Sequence, residues 1–177
     1  GATYEGDPAK LVDLQERIVQ DLARQLKPAL TQEDKQHLAY RATDNADAYR
    51  TYLEARYFWN QRSADGIRKA IKLFQRSVEL DPNFAMAYSG LADSYATLGY
   101  LSDIAPRDAF PLAKRYALKA LQLDGSLADA HASLAYVKFY FEWDWPGADA
   151  EFKRAIALNP RHPVTHQWYS VYLLAMG

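Results

Sequence analysis

Two histidines have a spacing along the chain that could bind a metal ion. His162 and His166 are four residues apart, which places two imidazoles on one face of a helix. Pro163 lies between them at the expected first position of that helix, so His162 falls outside it. No glutamate follows the first histidine as in the H-E-x-x-H pattern. The sequence therefore favours a turn histidine and a partly packed helix histidine over a metal site.

A cluster of carboxylates offers groups that could do acid–base chemistry, namely Glu142, Asp144 and Asp149. Asp144 directly precedes a predicted helix, where a carboxylate commonly accepts hydrogen bonds from the first backbone N–H groups. His131 is expected to be a packing residue. The sequence has no glycine-rich phosphate loop, no G-x-S-x-G elbow and no cysteine. We therefore expect no catalytic residue, no metal and no cofactor, and we do not expect an enzyme.

The overall composition is that of an ordinary globular protein without a dominant charge. Of 177 residues, 49% are hydrophobic, and the net charge of -1 gives no bulk attraction to nucleic acid or to an acidic membrane. No apolar run approaches the ~18 residues of a membrane-spanning helix. The absence of cysteine fits the cytoplasm, with the periplasm as the alternative. Because the chain starts at Gly1 and stops at Gly177 within a repeat, we expect a piece of a longer protein.

The same junction between two helices occurs three times. Its copies begin at Leu80-Asp81-Pro82, at Leu123-Asp124-Gly125 and at Leu158-Asn159-Pro160. After the first copy, small and large residues alternate at helical spacing, which is typical of a helix that packs closely against its neighbours: Ala87, Gly90 and Ala92 alternate with Tyr88, Leu91 and Tyr95. Three copies of one junction indicate a repeat protein.

These residues resemble tetratricopeptide (TPR) repeats, which are helix-turn-helix units of about 34 residues. The second unit matches the helix A positions with Tyr88, Leu91, Ala92 and Tyr95 and the helix B positions with Ala113, Ala117 and Ala120. The third unit matches with His131, Leu134, Ala135, Ala148, Phe152, Ala155 and Pro160, and the first with Ala70, Phe74 and Pro82. The resemblance implies an all-α fold, a TPR-type right-handed α-solenoid of antiparallel helix pairs with an N-terminal helical extension.

The domain organisation follows from the junctions. Residues 1–43 are predicted to be the helical extension, with an apolar stripe at Leu11, Leu14, Ile18, Leu22 and Leu26. Residues 44–177 are predicted to be the TPR array, with repeats at 44–82, 83–125 and 126–160 and a half repeat at 161–177. The second unit is 43 residues long from Pro82 to Gly125, so a lengthened loop is expected around residues 99–106.

A second resemblance concerns the N-terminal half. The runs at residues 13–18, 52–60 and 66–71 are similar to a group of bacterial multidomain signalling proteins, in which a TolB-like α/β segment precedes the TPR repeats. By this resemblance, residues 1–43 would be the tail of that α/β segment, and the chain would be part of a larger bacterial regulatory protein.

The resemblance also implies a concave groove that is lined by helix A residues and binds a peptide or protein partner. The residues predicted to bind the partner are Arg50, Glu54, Tyr57, Met86, Ser89, Asp93, Asp129, Tyr136, Phe139, Tyr140 and Gln167. For Tyr136 and Tyr140, packing between helices is an equal alternative. Phe141, Trp143 and Trp145 are expected to fill space between helices. Ser89 and Gly90 stand where a carboxylate clamp needs polar or basic groups, so binding of chaperone tails is not expected.

Two alternatives to peptide binding remain. The terminal helix could pair with a second copy of the chain, which would make the module a self-association (homo-oligomer) domain. Arg76, Lys119 and Arg154 take equivalent positions near the ends of the B helices and could form a basic row. Cations there also offset the negative end of the helix dipole, so this role is favoured and no nucleic-acid partner is expected.

Overall fold

The structure, a computed structural model, describes residues 42–177, and within that range it contains seven α-helices and no strand. The helices are α1 (Ala46–Asn60), α2 (Ala64–Leu80), α3 (Ala85–Tyr100), α4 (Pro106–Leu123), α5 (Ala128–Val137), α6 (Trp145–Leu158) and α7 (Pro163–Met176). A π-helical turn, Lys138–Glu142, continues α5. The predicted N-terminal extension and its apolar stripe lie outside the described residues.

Side-chain caps and prolines explain where several helices begin. The Asn45 side chain accepts hydrogen bonds from the backbone N–H groups of Asp47 and Ala48 at the start of α1. Asp144 accepts a hydrogen bond from the backbone N–H of Gly147, so the N-cap predicted for α6 is confirmed. Helices α4 and α7 begin with proline. Proline has no backbone N–H, but at the first position of a helix an N–H would have no partner within the helix, so no hydrogen bond is lost.

The helices form pairs that stack one after another along the chain. Short connections join α1 to α2, α3 to α4 and α5 to α6, so the members of each pair run antiparallel. Each pair packs on the next through contacts of α2 with α3 and of α4 with α5. Helices α1, α3, α5 and α7 also contact one another in sequence, so they form one layer. We call this the A layer, and α2, α4 and α6 form the other.

Small residues let the helices of each pair approach closely. Ala48, Ala87 and Ala113 are fully buried, and large rings such as Phe74 and Phe152 fill the space beside them. Ser77 takes a helix B position where the repeat normally has alanine. Its hydroxyl donates a hydrogen bond of 2.8 Å to the carbonyl oxygen of Ala48, so the buried polar group is satisfied.

The prediction of a lengthened loop in the second repeat is confirmed in part. Residues 101–105 connect α3 and α4, and this connection is longer than residues 61–63 in the first repeat and residues 143–144 in the third. Helices α3 and α4 contain 16 and 18 residues, so the rest of the additional length lies in the helices. Leu98, Gly99, Ala109 and Phe110 are all buried, because the two helices continue to pack on each other up to the connection.

The prediction that Phe141, Trp143 and Trp145 fill space between helices is wrong for Trp143, which is 70% exposed. Trp145 is 42% exposed, whereas Phe141, at 36%, stacks on Phe110 of α4 with ring centroids 5.5 Å apart. A π-helical turn accommodates one more residue than an α-helical turn, so the side chains that follow it leave the face that the α-helical spacing predicts. The turn ends at Trp143, whose φ of 57° lies in the left-handed region and stops the helix.

Candidate functional site

A cavity of about 580 Å³ opens on the A layer where three repeats meet. We call it the groove cavity. Its residues come from α1, α3, α5, the last residue of α6 and the turns that precede α5 and α7: Tyr52, Arg56, Met86, Ser89, Ser126, Leu127, Ala128, Asp129, Leu158, Asn159 and His162. Because side chains from several repeats line it, a segment bound there would contact all of them.

A group of charged residues joins α1, α3 and α5 beside this cavity. The Nη1 atom of Arg56 lies 3.7 Å from Oδ2 of Asp93 and 3.9 Å from Oδ2 of Asp129. The guanidinium also lies over the ring of Trp59, 4.9 Å from its centroid. Burial lowers the pKa of Arg56, but the nearby Tyr52, Asp93 and Asp129 raise it more, so the side chain is held in its charged form.

Asp93 is the most deeply buried member of this charged group. Burial, followed by the charge of Asp129, raises the pKa of its carboxyl group, Arg56 opposes the change, and the result is a pKa of about 7. The Ser133 hydroxyl donates a hydrogen bond to Oδ1 of Asp93. A carboxyl group in this position is therefore neutral below pH 7, and its charge state changes close to neutral pH.

The two histidines that suggested a metal site have different partners. Nε2 of His162 lies 3.2 Å from Oδ1 of Asp129, and its Nδ1 lies 2.8 Å from the Thr165 hydroxyl. Nε2 of His166 instead lies 2.8 Å from the carbonyl oxygen of Pro160. Among residues 42–177, no group of three or more histidine or carboxylate side chains is arranged to bind a metal ion.

Ser89 lines the groove cavity with a polar group that has no partner. The residue is only 3% exposed, and its hydroxyl oxygen makes no hydrogen bond within the part of the chain that the structure describes. A buried hydroxyl without a partner costs about 1–3 kcal/mol. The oxygen itself is covered by protein atoms, so a ligand in the cavity would contact other atoms of the residue.

Some predicted groove residues of the second and third repeats line the groove cavity, whereas those of the first repeat do not. Met86, Ser89 and Asp129 line the groove cavity, and Asp93 contacts it through Arg56. In the first repeat, the predicted Arg50, Glu54 and Tyr57 are exposed, and none of them lines the cavity. Gln167 is also exposed, on α7, and it does not line the cavity. Partner binding by these exposed residues stays a prediction.

Sequence reasoning missed eight of the eleven lining residues, among them Tyr52, Arg56 and His162. A signal for the first two was present. Ala48, Tyr52, Ala55 and Trp59 follow one another at steps of four, three and four, and all four are buried in α1. That stripe sets the rotation of the helix and brings Arg56, one turn after Tyr52, next to α3.

The aromatic residues of the third repeat pack mainly against one another. Tyr136 is 5% exposed, and its ring centroid lies 4.3 Å from that of Trp168 on α7. Phe139 is also buried and contacts Tyr172 edge to face. Tyr140 is half-buried between Tyr136 and Phe139. The structure thus favours the packing alternative for Tyr136.

The comparisons with solved structures identify the class of fold. The first TPR of Spaghetti (RPAP3), bound to the HSP90 peptide SRMEEVD, superimposes with a TM-score of 0.59 at 16% identity, covering 76% of this chain and 98% of that chain. The TPR2AB domain of yeast Sti1, in its complex with pHSP90, gives 0.56 at 16% identity, covering 97% of this chain and 72% of that chain. The described helices therefore form an all-α TPR solenoid, as the sequence predicts.

The sequence comparison adds one named relative. The transcriptional regulator HilA of Salmonella typhimurium is 27% identical over 173 residues. The match covers 98% of this chain, but the chain spans only 30% of the length of HilA. No protein-family model matches the chain. Between residues 42 and 177, no helix is long and apolar enough to span a membrane.

Proposed function

We propose that this chain is a protein-interaction module that binds a peptide or an unfolded segment of a partner along the A layer. The groove cavity is the observation that carries this proposal, because α1, α3 and α5 all contribute to it. The peptide in the Spaghetti TPR structure supports it, since that domain has the same fold. No catalytic step is part of the proposal.

The groove offers both apolar and polar contacts to such a segment. Tyr52, Met86, Leu127 and Leu158 supply apolar surface. Arg56, Asp129 and His162 supply hydrogen-bonding groups. The residues lie on helices that pack against each other, so the site is largely formed before binding. Little conformational entropy of the domain then opposes association, and the affinity depends mainly on the ordering of the segment.

The wider context of the module is a larger bacterial regulatory protein. The match to HilA, a transcriptional regulator, supports this part of the proposal, as does the resemblance to proteins with a TolB-like segment. In such a protein the TPR array would bring a partner to the regulator and would not itself contact nucleic acid.

Self-association is the second candidate, and α7 favours it. Val171, Leu173, Leu174 and Met176 are exposed on this helix, and Leu174 is 83% exposed. Groups of exposed apolar side chains often mark protein interfaces. In this alternative, the exposed face of α7 contacts a second copy of the chain.

Filling the groove cavity tests the first candidate. Ser126 lies on the exposed turn before α5 and lines the cavity, so Ser126→Tyr would occupy it without disturbing a buried residue. Its backbone N–H would keep the hydrogen bond to Asp124. The matched control is Gln122→Tyr, because Gln122 is exposed near the end of α4 and does not line the cavity.

The measurement is selection of a phage-displayed random dodecapeptide library on the immobilised 177-residue chain. We expect enriched phage to bind the parent chain and Gln122→Tyr but not Ser126→Tyr. Equal binding to all three would remove the groove cavity from the proposal. If no phage are enriched and sedimentation equilibrium shows a dimer that Leu174→Glu dissociates, self-association is the function of the module.

A further inference from the structure

Two arginines and one further aspartate act on the Asp93 carboxyl group beside the groove cavity: Arg56, Arg62 and Asp129. Among the described residues, Arg56 is the one arginine that also lies within 4 Å of the Asp129 carboxylate. Nε2 of His162 lies 3.2 Å from Oδ1 of Asp129, and its Nδ1 lies 2.8 Å from the Thr165 hydroxyl. The negative charge that the cavity offers to a ligand is therefore that of Asp129.

Asp129 is the acid that a ligand can reach. Its side chain is 29% exposed, against 5% for Asp93. The distance of 3.9 Å from Arg56 Nη1 to Asp129 Oδ2 is too long for a direct hydrogen bond. A carboxylate has about four positions for hydrogen bonds. Asp129 therefore keeps lone pairs for a donor that enters the cavity.

Ser89 lines the cavity, but its hydroxyl oxygen is covered by protein atoms and has no hydrogen-bond partner among the described residues. A cationic ligand group carries several N–H donors, and these donors would bond to the Asp129 carboxylate.

The walls of the cavity suit the aliphatic part of a long side chain. Met86, Leu127 and Leu158 line it from three different segments. Lysine and arginine commonly bury their methylene stems along apolar surface while the charged end meets a polar group. The flexible side chain of Met86 can adjust to either stem.

We infer that the groove cavity takes a lysine or arginine side chain of the bound segment, with its cation on the Asp129 carboxylate and its stem against Met86, Leu127 and Leu158. This inference rests on the proposed function and specifies the class of partner, a segment with a basic residue. An acidic side chain at the same point would be repelled by Asp129.

The test uses the same library selection and adds a thermodynamic cycle. The enriched peptides are sequenced, and the peptide that binds most tightly is synthesised with a fluorescein label in two forms. One form has the selected sequence. In the other, the basic residue that the enriched peptides have in common is replaced by norleucine. Fluorescence anisotropy then gives the affinity of each peptide for the parent chain, for Asp129→Asn and for Asp108→Asn. Asp108 is the control, because it is an aspartate in the first turn of α4, as Asp129 is in the first turn of α5, but it is exposed and does not line the groove cavity.

We expect enriched peptides to share a lysine or arginine. Replacing it with norleucine should weaken binding to the parent chain and to Asp108→Asn by roughly tenfold, as for the loss of one charge-assisted hydrogen bond. The same replacement should change binding to Asp129→Asn by less than about twofold. Asp129→Lys, checked for helicity by circular dichroism, should select peptides with an acidic residue instead.

Three results would overturn the inference, and the third would also overturn the proposed function. Enriched peptides without a basic residue, or an equal norleucine effect in the parent chain and in Asp129→Asn, would remove the basic pocket while peptide binding stands. If the parent chain enriches no peptide at all, the proposed function fails together with the pocket.

Discussion

The ring of Phe74 on α2 lies directly over Gly90 on α3. A Cβ atom at position 90 would lie 2.5 Å from ring carbons Cε1 and Cζ of Phe74, a distance that packed atoms do not reach. Both residues are buried where the first repeat packs on the second. The glycine therefore allows the two helices to approach each other, and a larger residue would have to push them apart.

We predict that Gly90→Ala destabilises the fold by about 1–3 kcal/mol, because the added methyl group overpacks this contact. Gly125→Ala is the matched control. The nearest atom to a Cβ there is the carbonyl oxygen of Leu121 at 3.8 Å, so this change should be neutral or slightly stabilising. Urea denaturation measures both. Equal stability of the two variants would show that α2 and α3 separate at no cost.

Tyr136 provides a test of the boundary between groove and core. We predict that Tyr136→Ala lowers the free energy of unfolding by about 3–5 kcal/mol, because it leaves a cavity beside Trp168. Tyr57→Ala removes the same type of ring from a site that is 65% exposed, and it should change stability by less than about 0.5 kcal/mol. A stable Tyr136→Ala variant would return this residue to the list of groove candidates.

The helix pairs could be predicted from the sequence, because local rules place them. The alternation of small and large residues around Gly90 defines a packed helix, and the repeated Leu-Asp-Pro type of junction defines where helices change direction. The start of α6 could likewise be predicted from Asp144 alone. Each of these features depends on residues that are neighbours in the sequence.

The groove cavity could be predicted only in part, because it depends on contacts between repeats. Arg56, Asp93 and Asp129 lie on three different helices, so no local pattern shows that they meet. The first repeat, residues 44–82, is longer than the TPR unit of about 34 residues. The repeat pattern therefore does not show which face of α1 points toward the groove. The π-helical turn before Trp143 has no sequence signature, so the exposure of that ring could not be foreseen.

Asn45 connects the first helix pair through three hydrogen bonds. Its Oδ1 accepts from two backbone N–H groups of α1, and its Nδ2 donates to the Leu80 carbonyl oxygen at 2.9 Å at the end of α2. We predict that Asn45→Ala costs about 1–2 kcal/mol. Asn45→Asp keeps the two accepted bonds and loses the donated one, so its melting temperature should lie between those of the parent chain and Asn45→Ala. An Asp variant as stable as the parent would show that the bond to Leu80 contributes nothing.

The charge of Asp93 should make the stability of the fold depend on pH. Its pKa is raised by burial to about 7, whereas in the unfolded chain it is close to 3.8. Between these values the folded state holds a proton that the unfolded state has lost. The contribution of this group is therefore fully present below about pH 4, is lost as the pH rises toward 7, and is constant above that.

Asp93→Asn isolates this effect, because asparagine resembles the neutral acid and its side-chain oxygen can still accept the hydrogen bond of Ser133. We predict that the stability of the variant relative to the parent chain increases by up to about 1.4 kcal/mol per pH unit between pH 5 and 7 and stays level from there to pH 8. The charges that face the carboxyl group, Arg56, Arg62 and Asp129, are the same in both proteins, so they largely cancel in the comparison. Urea denaturation at several pH values measures the difference. A difference that does not change with pH would mean that Asp93 is ionised throughout, with Arg56 compensating its burial.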